Sequence, residues 1–191
     1  MTPVTVSDPI IETERLVLRP FQPADFSAYA AYHIRTDVYR FLYSSPPDRD
    51  TLKRSFTSVI RPVFAKQGDE FKLAVVTKES GHLVGEVLLK FANEYALQGE
   101  VGYIFDPTYA GKGFATEATR AIIDYGFNHL GLHRIFARLD TSNSGSIGVV
   151  ERLKLRREAH FIDNDRFNGV WGSEFVYAIL HNEWRALQAD R

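Results

Sequence analysis

Apolar residues recur along this chain in two rhythms, and the change of rhythm marks out its elements. After a polar stretch with two prolines, Leu16-Val17-Leu18 lies between Arg15 and Arg19-Pro20 and predicts a strand that the proline closes. Gln22-Pro23-Ala24-Asp25 predicts a helix start with proline in the first turn, and Phe26, Tyr29, Ala30 and His33 mark one face of that helix. Thr36 to Phe41 predicts a further helical turn, and Ser44-Ser45-Pro46-Pro47 a break. Asp48 or Asp50 then caps a long helix to about Lys66, with Leu52, Phe56, Val59 and Ile60 or Val63 inward and a kink at Pro62.

The rhythm then shortens. Phe71 to Val76, Leu83 to Phe91 and Glu100 to Phe105 predict three strands, joined by a turn at Glu79-Ser80-Gly81-His82 and a longer loop over Asn93 to Gln98. Helical spacing returns after Gly113 and runs to His129, stopped by Gly131. Arg134 to Leu139 predicts a strand, and Asp140-Thr141-Ser142-Asn143 caps a helix to about Lys154. Leu155 to Phe161 and Ser173 to Leu180 predict a closing antiparallel pair joined across a loop from Asp163 to Gly172, and Glu183 to Leu187 a last short helix. The fold class expected is therefore α/β (α+β): a single-domain, mixed and mostly antiparallel sheet of about seven strands flanked by helices. The domain is expected over residues 12–187, behind an N-terminal arm over residues 1–11.

Composition narrows the function classes. The chain has 191 residues, 45% of them apolar, enough for one well-formed core. A net charge of -1 gives no global field toward nucleic acid or an anionic membrane, so neither is expected as a partner. With no cysteine there is no disulfide, thiolate nucleophile or thiolate metal site, which agrees with a reducing, cytoplasmic setting. Met1 to Ile11 lacks a basic segment followed by an apolar run, so no signal peptide is expected, and no apolar run approaches the ~20 residues of a membrane span. His129 and His133 have the spacing of a zinc helix, but Gly131 breaks the helix between them, and no metal site is expected.

The stretch Pro107-Thr108-Tyr109-Ala110-Gly111-Lys112-Gly113-Phe114-Ala115-Thr116-Glu117-Ala118 joins a buried strand to a helix start. A helix start carries unpartnered N–H groups and partial positive charge, glycines let an anion approach the backbone, and Lys112 adds a full charge. This is chemistry for a phosphate or pyrophosphate. A P-loop is excluded because Gly-x-x-x-x-Gly-Lys-Ser/Thr is absent. A dinucleotide fingerprint is disfavoured: Thr116 stands where its third glycine belongs, five residues separate Phe105 from Gly111, and the preceding strands form an antiparallel meander.

In this order and context, the chain resembles the GCN5-related N-acetyltransferases, and more narrowly the branch that acetylates the N-termini of ribosomal proteins. The resemblance covers about Ile11 to Trp184. It rests on Gly111 to Ala118, on Glu12-Thr13-Glu14-Arg15-Leu16-Val17-Leu18-Arg19, on Glu100-Val101-Gly102-Tyr103, on Asn143-Ser144-Gly145-Ser146 followed by Val150-Glu151-Arg152-Leu153, and on Asn168-Gly169-Val170-Trp171. It implies the acyl-CoA N-acyltransferase fold and transfer of an acetyl group from acetyl-CoA, without a metal, to a primary amine. That amine is a protein N-terminus or a small molecule, and the protein a monomer or homodimer. Three departures stand out. Ala110 fills a slot often held by glutamine or arginine, Lys154-Leu155 replaces a Gly-Phe that would cap the later helix, and Ser173 replaces an aspartate.

The resemblance implies that the N–H groups of Gly111, Lys112, Gly113, Phe114, Ala115 and Thr116 hold the coenzyme A pyrophosphate. Backbone groups near Ile104 and Phe105 then meet the pantetheine arm and polarise the thioester, an oxyanion-hole task, and Asn143 bonds the pantetheine amide or caps its helix. Acyl transfer to an amine also needs an acid and a base. Ser146, on a first helical turn whose dipole stabilises a thiolate, is the candidate acid. Asp165, in the slot before Asn168-Gly169, and Glu100, at the polar start of its strand, are the candidate bases. Each also has a structural reading: Ser146 as a cap, Asp165 as a turn former, Glu100 as a solvated edge charge. Two other functions stay open, a non-catalytic acyl-CoA-binding or sensing module and an NAD(P)-dependent oxidoreductase.

Overall fold

The computed structural model of the chain describes residues 9–61 and 63–189. Eight strands form one sheet, β1 (Ile11–Glu12), β2 (Leu16–Arg19), β3 (Glu70–Thr77), β4 (Leu83–Asn93), β5 (Gln98–Phe105), β6 (Arg134–Asp140), β7 (Arg156–Phe167) and β8 (Val170–Leu180), in the order β1-β2-β3-β4-β5-β6-β8-β7. Five helices accompany it: α1 (Phe26–His33), α2 (Arg49–Val59), α3 (Phe114–Asn128), α4 (Ser144–Arg152) and α5 (His181–Ala189). Every neighbouring pair is antiparallel except β5 with β6. Residues 1–8 of the expected arm and the kink expected at Pro62 lie outside the described residues.

Strand alternation gives the sheet two faces. On one, Leu73, Val87, Leu89, Val101, Ile135 and Tyr177 pack against Ile122, Ile123 and Phe127 of α3 and Val149 and Val150 of α4. On the other, Ala74 and Val76 pack with Phe21 and with Tyr29, Tyr32, Leu52 and Phe56 of α1 and α2. The first is called here the α3 face and the second the α1 face. Gly126 is needed on α3 because a Cβ there would lie 2.8 Å from Leu89 and 2.9 Å from Ile135.

Several expectations are corrected. Residues 36–41 form turns and not a helical turn. Helix α2 starts at its Asp48 cap, whose side chain accepts from the Thr51 N–H, but stops at Val59 and not near Lys66. Pro62 lacks an N–H and disfavours helical geometry at the residue before it. The expected loop from Asp163 to Gly172 is mostly strand: β7 and β8 run to Phe167 and Val170 across the two-residue turn Asn168-Gly169. Both turn residues have positive φ, 50° and 82°, the requirement of a tight hairpin turn that Asn-Gly meets. Helix α4 does end on a left-handed residue, because Lys154 takes φ 64° in place of glycine. The Leu155 N–H donates to Val150 O, and Leu153 and Leu155, both buried, hold the strained turn between them.

The parallel pairing of β5 with β6 extends only through Gln98↔Arg134, Gly99↔Ile135 and Glu100↔Phe136. Beyond that the strands splay. β5 stays bonded to β4 as far as Gly85↔Phe105, while β6 stays bonded to β8 as far as Asp140↔Glu174. The result is a V-shaped gap in mid-sheet, open between the ends of β5 and β6.

Candidate active site

The glycine loop follows β5 after Asp106 and a short 3-10 turn. Asp106 accepts from the Thr108 N–H, Pro107–Tyr109 make one 3-10 turn, and Gly111 and Gly113 take φ 78° and 79°, which glycine adopts at no cost. Gly113 is the N-cap of α3 and has no side chain to cap the first turn. Among the described residues, none of the N–H groups of Gly111, Lys112, Gly113, Phe114, Ala115 and Thr116 donates to a protein acceptor. Six successive N–H groups at a helix start, without an acceptor among the described residues, fit a pyrophosphate. Ala110 adds no side-chain donor, but three cations stand around the loop. Lys112 lies over the Tyr109 ring, Arg152 donates to the Thr116 hydroxyl at 3.1 Å, and Arg15 donates to the Lys112 carbonyl at 2.9 Å.

Arg15 and Arg152 were missed by sequence reasoning, and Glu117 explains Arg15. Glu117 in the first turn of α3 turns away from the loop and toward the β1–β2 hairpin. It accepts from the Thr13 hydroxyl at 2.6 Å, from the Arg15 N–H at 2.9 Å and from Arg15 Nε at 2.7 Å. Burial raises its pKa, but the Thr13 and Arg15 contacts outweigh that and hold it below the usual carboxylate range. The guanidinium also covers the Phe114 ring. The hairpin thus braces the loop through Thr13 and Arg15.

The walls of the gap differ on the two faces. On the α3 face, Tyr103 of β5 donates to the backbone carbonyl of Ser146 on α4 at 3.0 Å. Asn143 caps α4 by accepting from the Ser146 N–H at 3.1 Å, which leaves the half-buried Ser146 hydroxyl on the first turn. Ile104 and Phe105 stand at the open end of β5, and Gly85 lets that end approach β4, since a Cβ there would lie 2.5 Å from the Ile104 carbonyl. Ser146, Asn143, Ile104, Phe105 and the anion loop are therefore brought along one gap.

Glu100 and Asp165 lie on the opposite, α1 face. Asp165 pairs with Gly172 inside the β7–β8 hairpin rather than on a loop. Arg138 of β6 is bonded to the buried Glu174 at 2.6 Å, with Glu100 and Asp165 nearby. Asp140 accepts from the Tyr43 hydroxyl at 2.5 Å, and Tyr43 packs so closely on Gly172 that a Cβ there would lie 2.2 Å from its oxygen. Glu174, Glu100 and Asp165 thus gather around Arg138 on this face, with Asp140 beside them at Tyr43 and the exposed Lys90 opposite Glu100. Among the aromatic residues, Tyr29 and Phe91 are core, Tyr39, Phe41 and Tyr103 are half-buried, and Trp171 is exposed. His129 stacks on Tyr125 at 4.6 Å.

Known proteins place these features in context. The acetyltransferase (GNAT) domain family matches residues 15–156. The chain is similar to the uncharacterized N-acetyltransferase YnaD of Bacillus subtilis, with 31% identity over 91% of this chain and 98% of that protein. It is similar to the spermidine N(1)-acetyltransferase of Escherichia coli, with 27% identity over 88% of each chain. Among solved structures, it resembles a GNAT-family acetyltransferase from Bacillus anthracis with a TM-score of 0.82 and 29% identity, over 92% of this chain and all of that one.

Proposed function

This chain belongs to the acetyltransferase (GNAT) family, and we infer that it moves an acetyl group from acetyl-CoA to a primary amine that arrives as a cation. What carries the reading is the juxtaposition of the splayed β5–β6 gap with a helix start whose six N–H groups have no acceptor among the described residues. Acetyl-CoA supplies the activated acetyl group as a thioester. The Gly111–Thr116 N–H groups and Lys112 hold its pyrophosphate, with Arg15 and Arg152 adding charge at the rim. Backbone groups at Ile104 and Phe105 receive the pantetheine arm and polarise the thioester carbonyl from the open end of β5. Asn143 orients the start of α4, and Ser146 protonates the leaving thiolate.

The acceptor enters from the α1 face. Glu100, Asp140, Asp165 and Glu174 outnumber the cations Arg138 and Lys90 there, which favours an ammonium over an anionic acceptor. Asp165, with Glu100 beside Arg138, takes a proton from the attacking nitrogen through water. A protein N-terminus and a polyamine both present such an ammonium. The latter is supported by the similarity to a spermidine N(1)-acetyltransferase, the former by the motifs shared with ribosomal-protein acetyltransferases.

The test is release of free thiol from acetyl-CoA with a panel of spermidine, small amines and peptides with free N-termini. Turnover with any of them supports acetyl transfer. Saturable binding of acetyl-CoA without turnover on the whole panel would favour a sensing module, and binding of NADH in its place an oxidoreductase.

A further inference from the structure

Helix α1 ends on a buried pair of titratable groups that none of these steps uses. His33 is 3% exposed and Glu86 not at all. Glu86 stands on β4 directly across from Ile104 of β5, and it points to the α1 face. Its Oε2 accepts from the Tyr32 hydroxyl at 2.9 Å and lies 3.0 Å from Nε2 of His33. The Lys72 ammonium is 3.1 Å from Oε1. That last contact is a charge pairing without hydrogen-bond geometry, since Oε1 has no hydrogen-bond partner among the described residues. Burial pushes the Glu86 carboxyl up, but Lys72, His33 and Tyr32 together outweigh it and hold it below its usual 4.5.

An ionised carboxylate can only accept hydrogen bonds. His33 therefore carries its hydrogen on Nε2, facing Glu86, and offers a lone pair at Nδ1. The Tyr39 hydroxyl lies 2.8 Å from Nδ1, and in the neutral Nε2–H tautomer of His33 it is the donor of that bond. Glu86, His33 and Tyr39 form one chain of hydrogen bonds from a buried anion to a half-buried hydroxyl.

That hydroxyl lies on the segment between α1 and α2. The segment carrying it is anchored on one side by His33, bonded to Glu86 opposite Ile104, and on the other by Tyr43, bonded to Asp140 at the end of β6. It therefore bridges the two arms of the V on the face where the acceptor enters, with Tyr39 between its anchors. Two other tyrosines, Tyr29 and Tyr32 of α1, flank His33, Glu86 of β4 bonds it, and Lys72 of β3 pairs with the other oxygen of Glu86. The facing residues of α2 and β5, Phe56 and Ile104, are apolar.

We propose that Tyr39, His33 and Glu86 form a relay that takes the first proton from the cationic amine acceptor. The inference rests on the acetyl-transfer reading above. An ammonium N–H donates to the Tyr39 oxygen. As the proton crosses, the tyrosine hydroxyl hydrogen passes to Nδ1 of His33, and the imidazolium is held against the Glu86 carboxylate. The nitrogen is left with the electron pair that attacks the thioester, and the relayed proton later returns through Tyr39 to solvent. The amine loses two protons per turnover, one to the relay before attack and one to Asp165 after it. One of them replaces the proton that Ser146 gives the thiolate, and the other leaves as the single net proton of the reaction. Burial, and then Glu86, push the Tyr39 pKa up to about 12, so the hydroxyl passes a proton on without ionising.

Tyr39→Phe keeps the ring and removes only the hydroxyl. The expected result is a fall in kcat of about 100-fold at neutral pH, the scale of one proton-transfer catalyst, with the KM for acetyl-CoA and the melting temperature unchanged. The loss shrinks as pH rises toward the pKa of the amine, where the acceptor arrives already neutral. A variant with wild-type kcat and pH profile overturns the relay. So does nitrogen-15 NMR of the resting wild-type protein showing the His33 hydrogen on Nδ1, a result read without turnover. Wild-type protein that releases no thiol with any amine would overturn the acetyl-transfer reading itself.

Discussion

The Tyr103 hydroxyl donates to the Ser146 carbonyl at 3.0 Å and ties β5 to α4 across the very gap where their strands part. Burial pushes the Tyr103 pKa up to about 12, so it remains a donor throughout the neutral range. The bond fixes the width of the slot and the first turn of α4, which carries Ser146.

Tyr103→Phe keeps the ring in the core and removes that tie. Loss of one net hydrogen bond costs about 1 kcal/mol. The expected outcome is a similar drop in unfolding free energy by denaturant titration, with an acetyl-CoA KM raised roughly fivefold, the equivalent of the same energy.

Gly113→Ala tests the loop. Its φ of 79° penalises an alanine by about 1–2 kcal/mol, and the new Cβ would lie 3.4 Å from Arg15 Nη2. Acetyl-CoA binding by calorimetry should weaken about tenfold, because the strain relaxes by turning N–H groups away from the phosphates. Gly111→Ala has open space around its Cβ and should show the backbone penalty alone.

Arg15 and Glu117 should couple weakly and with salt dependence. Arg15 is half exposed, so the pair contributes about 0.5–1 kcal/mol to stability. A double-mutant cycle of Arg15→Ala and Glu117→Gln, read by thermal unfolding, should give a coupling of that size at low salt. The coupling should shrink at 1 M salt, where the Debye length is about 3 Å.

Acid should act on the α1 face through Glu86. Its folded pKa lies below the usual 4.5, so the folded state binds fewer protons than the unfolded chain. The stabilisation is present above about pH 4.5 and is lost as pH falls through the folded value. Glu86→Gln should flatten the acid limb of the stability curve measured by urea titration between about pH 5 and 3. It should also lower stability at pH 7, since Lys72 loses its partner.

Much of this was legible beforehand. Val101 to Phe105 read as a strand because the run is short and apolar, and Gly111 and Gly113 read as the turn into a helix because helical spacing follows them at once. The β7–β8 turn was also readable, since Asn168-Gly169 is a strong signal for a tight hairpin turn. It was passed over because the polar residues Asp163 to Arg166 break the apolar alternation that marks a strand, and β7 is an edge whose side chains are mostly exposed. Glu117 turns toward the β1–β2 hairpin, but nothing local indicates Arg15 as its partner, 102 residues away.

The sequence by itself determined most of the order of elements, though not β1 or the turns over residues 36–41, and the faces they bury, because periodicity, glycine conformation and helix starts are local properties. It also carried the family. Tertiary structure decided everything that depends on the β5–β6 splay: which arm Tyr103 ties to α4, which carboxylates meet Arg138, and that His33 joins Glu86 to Tyr39. Those contacts link residues far apart in the chain, and their geometry is set by where one parallel pairing stops after Glu100 and Phe136. Periodicity names the face a side chain points to, but only the assembled sheet gives it a partner.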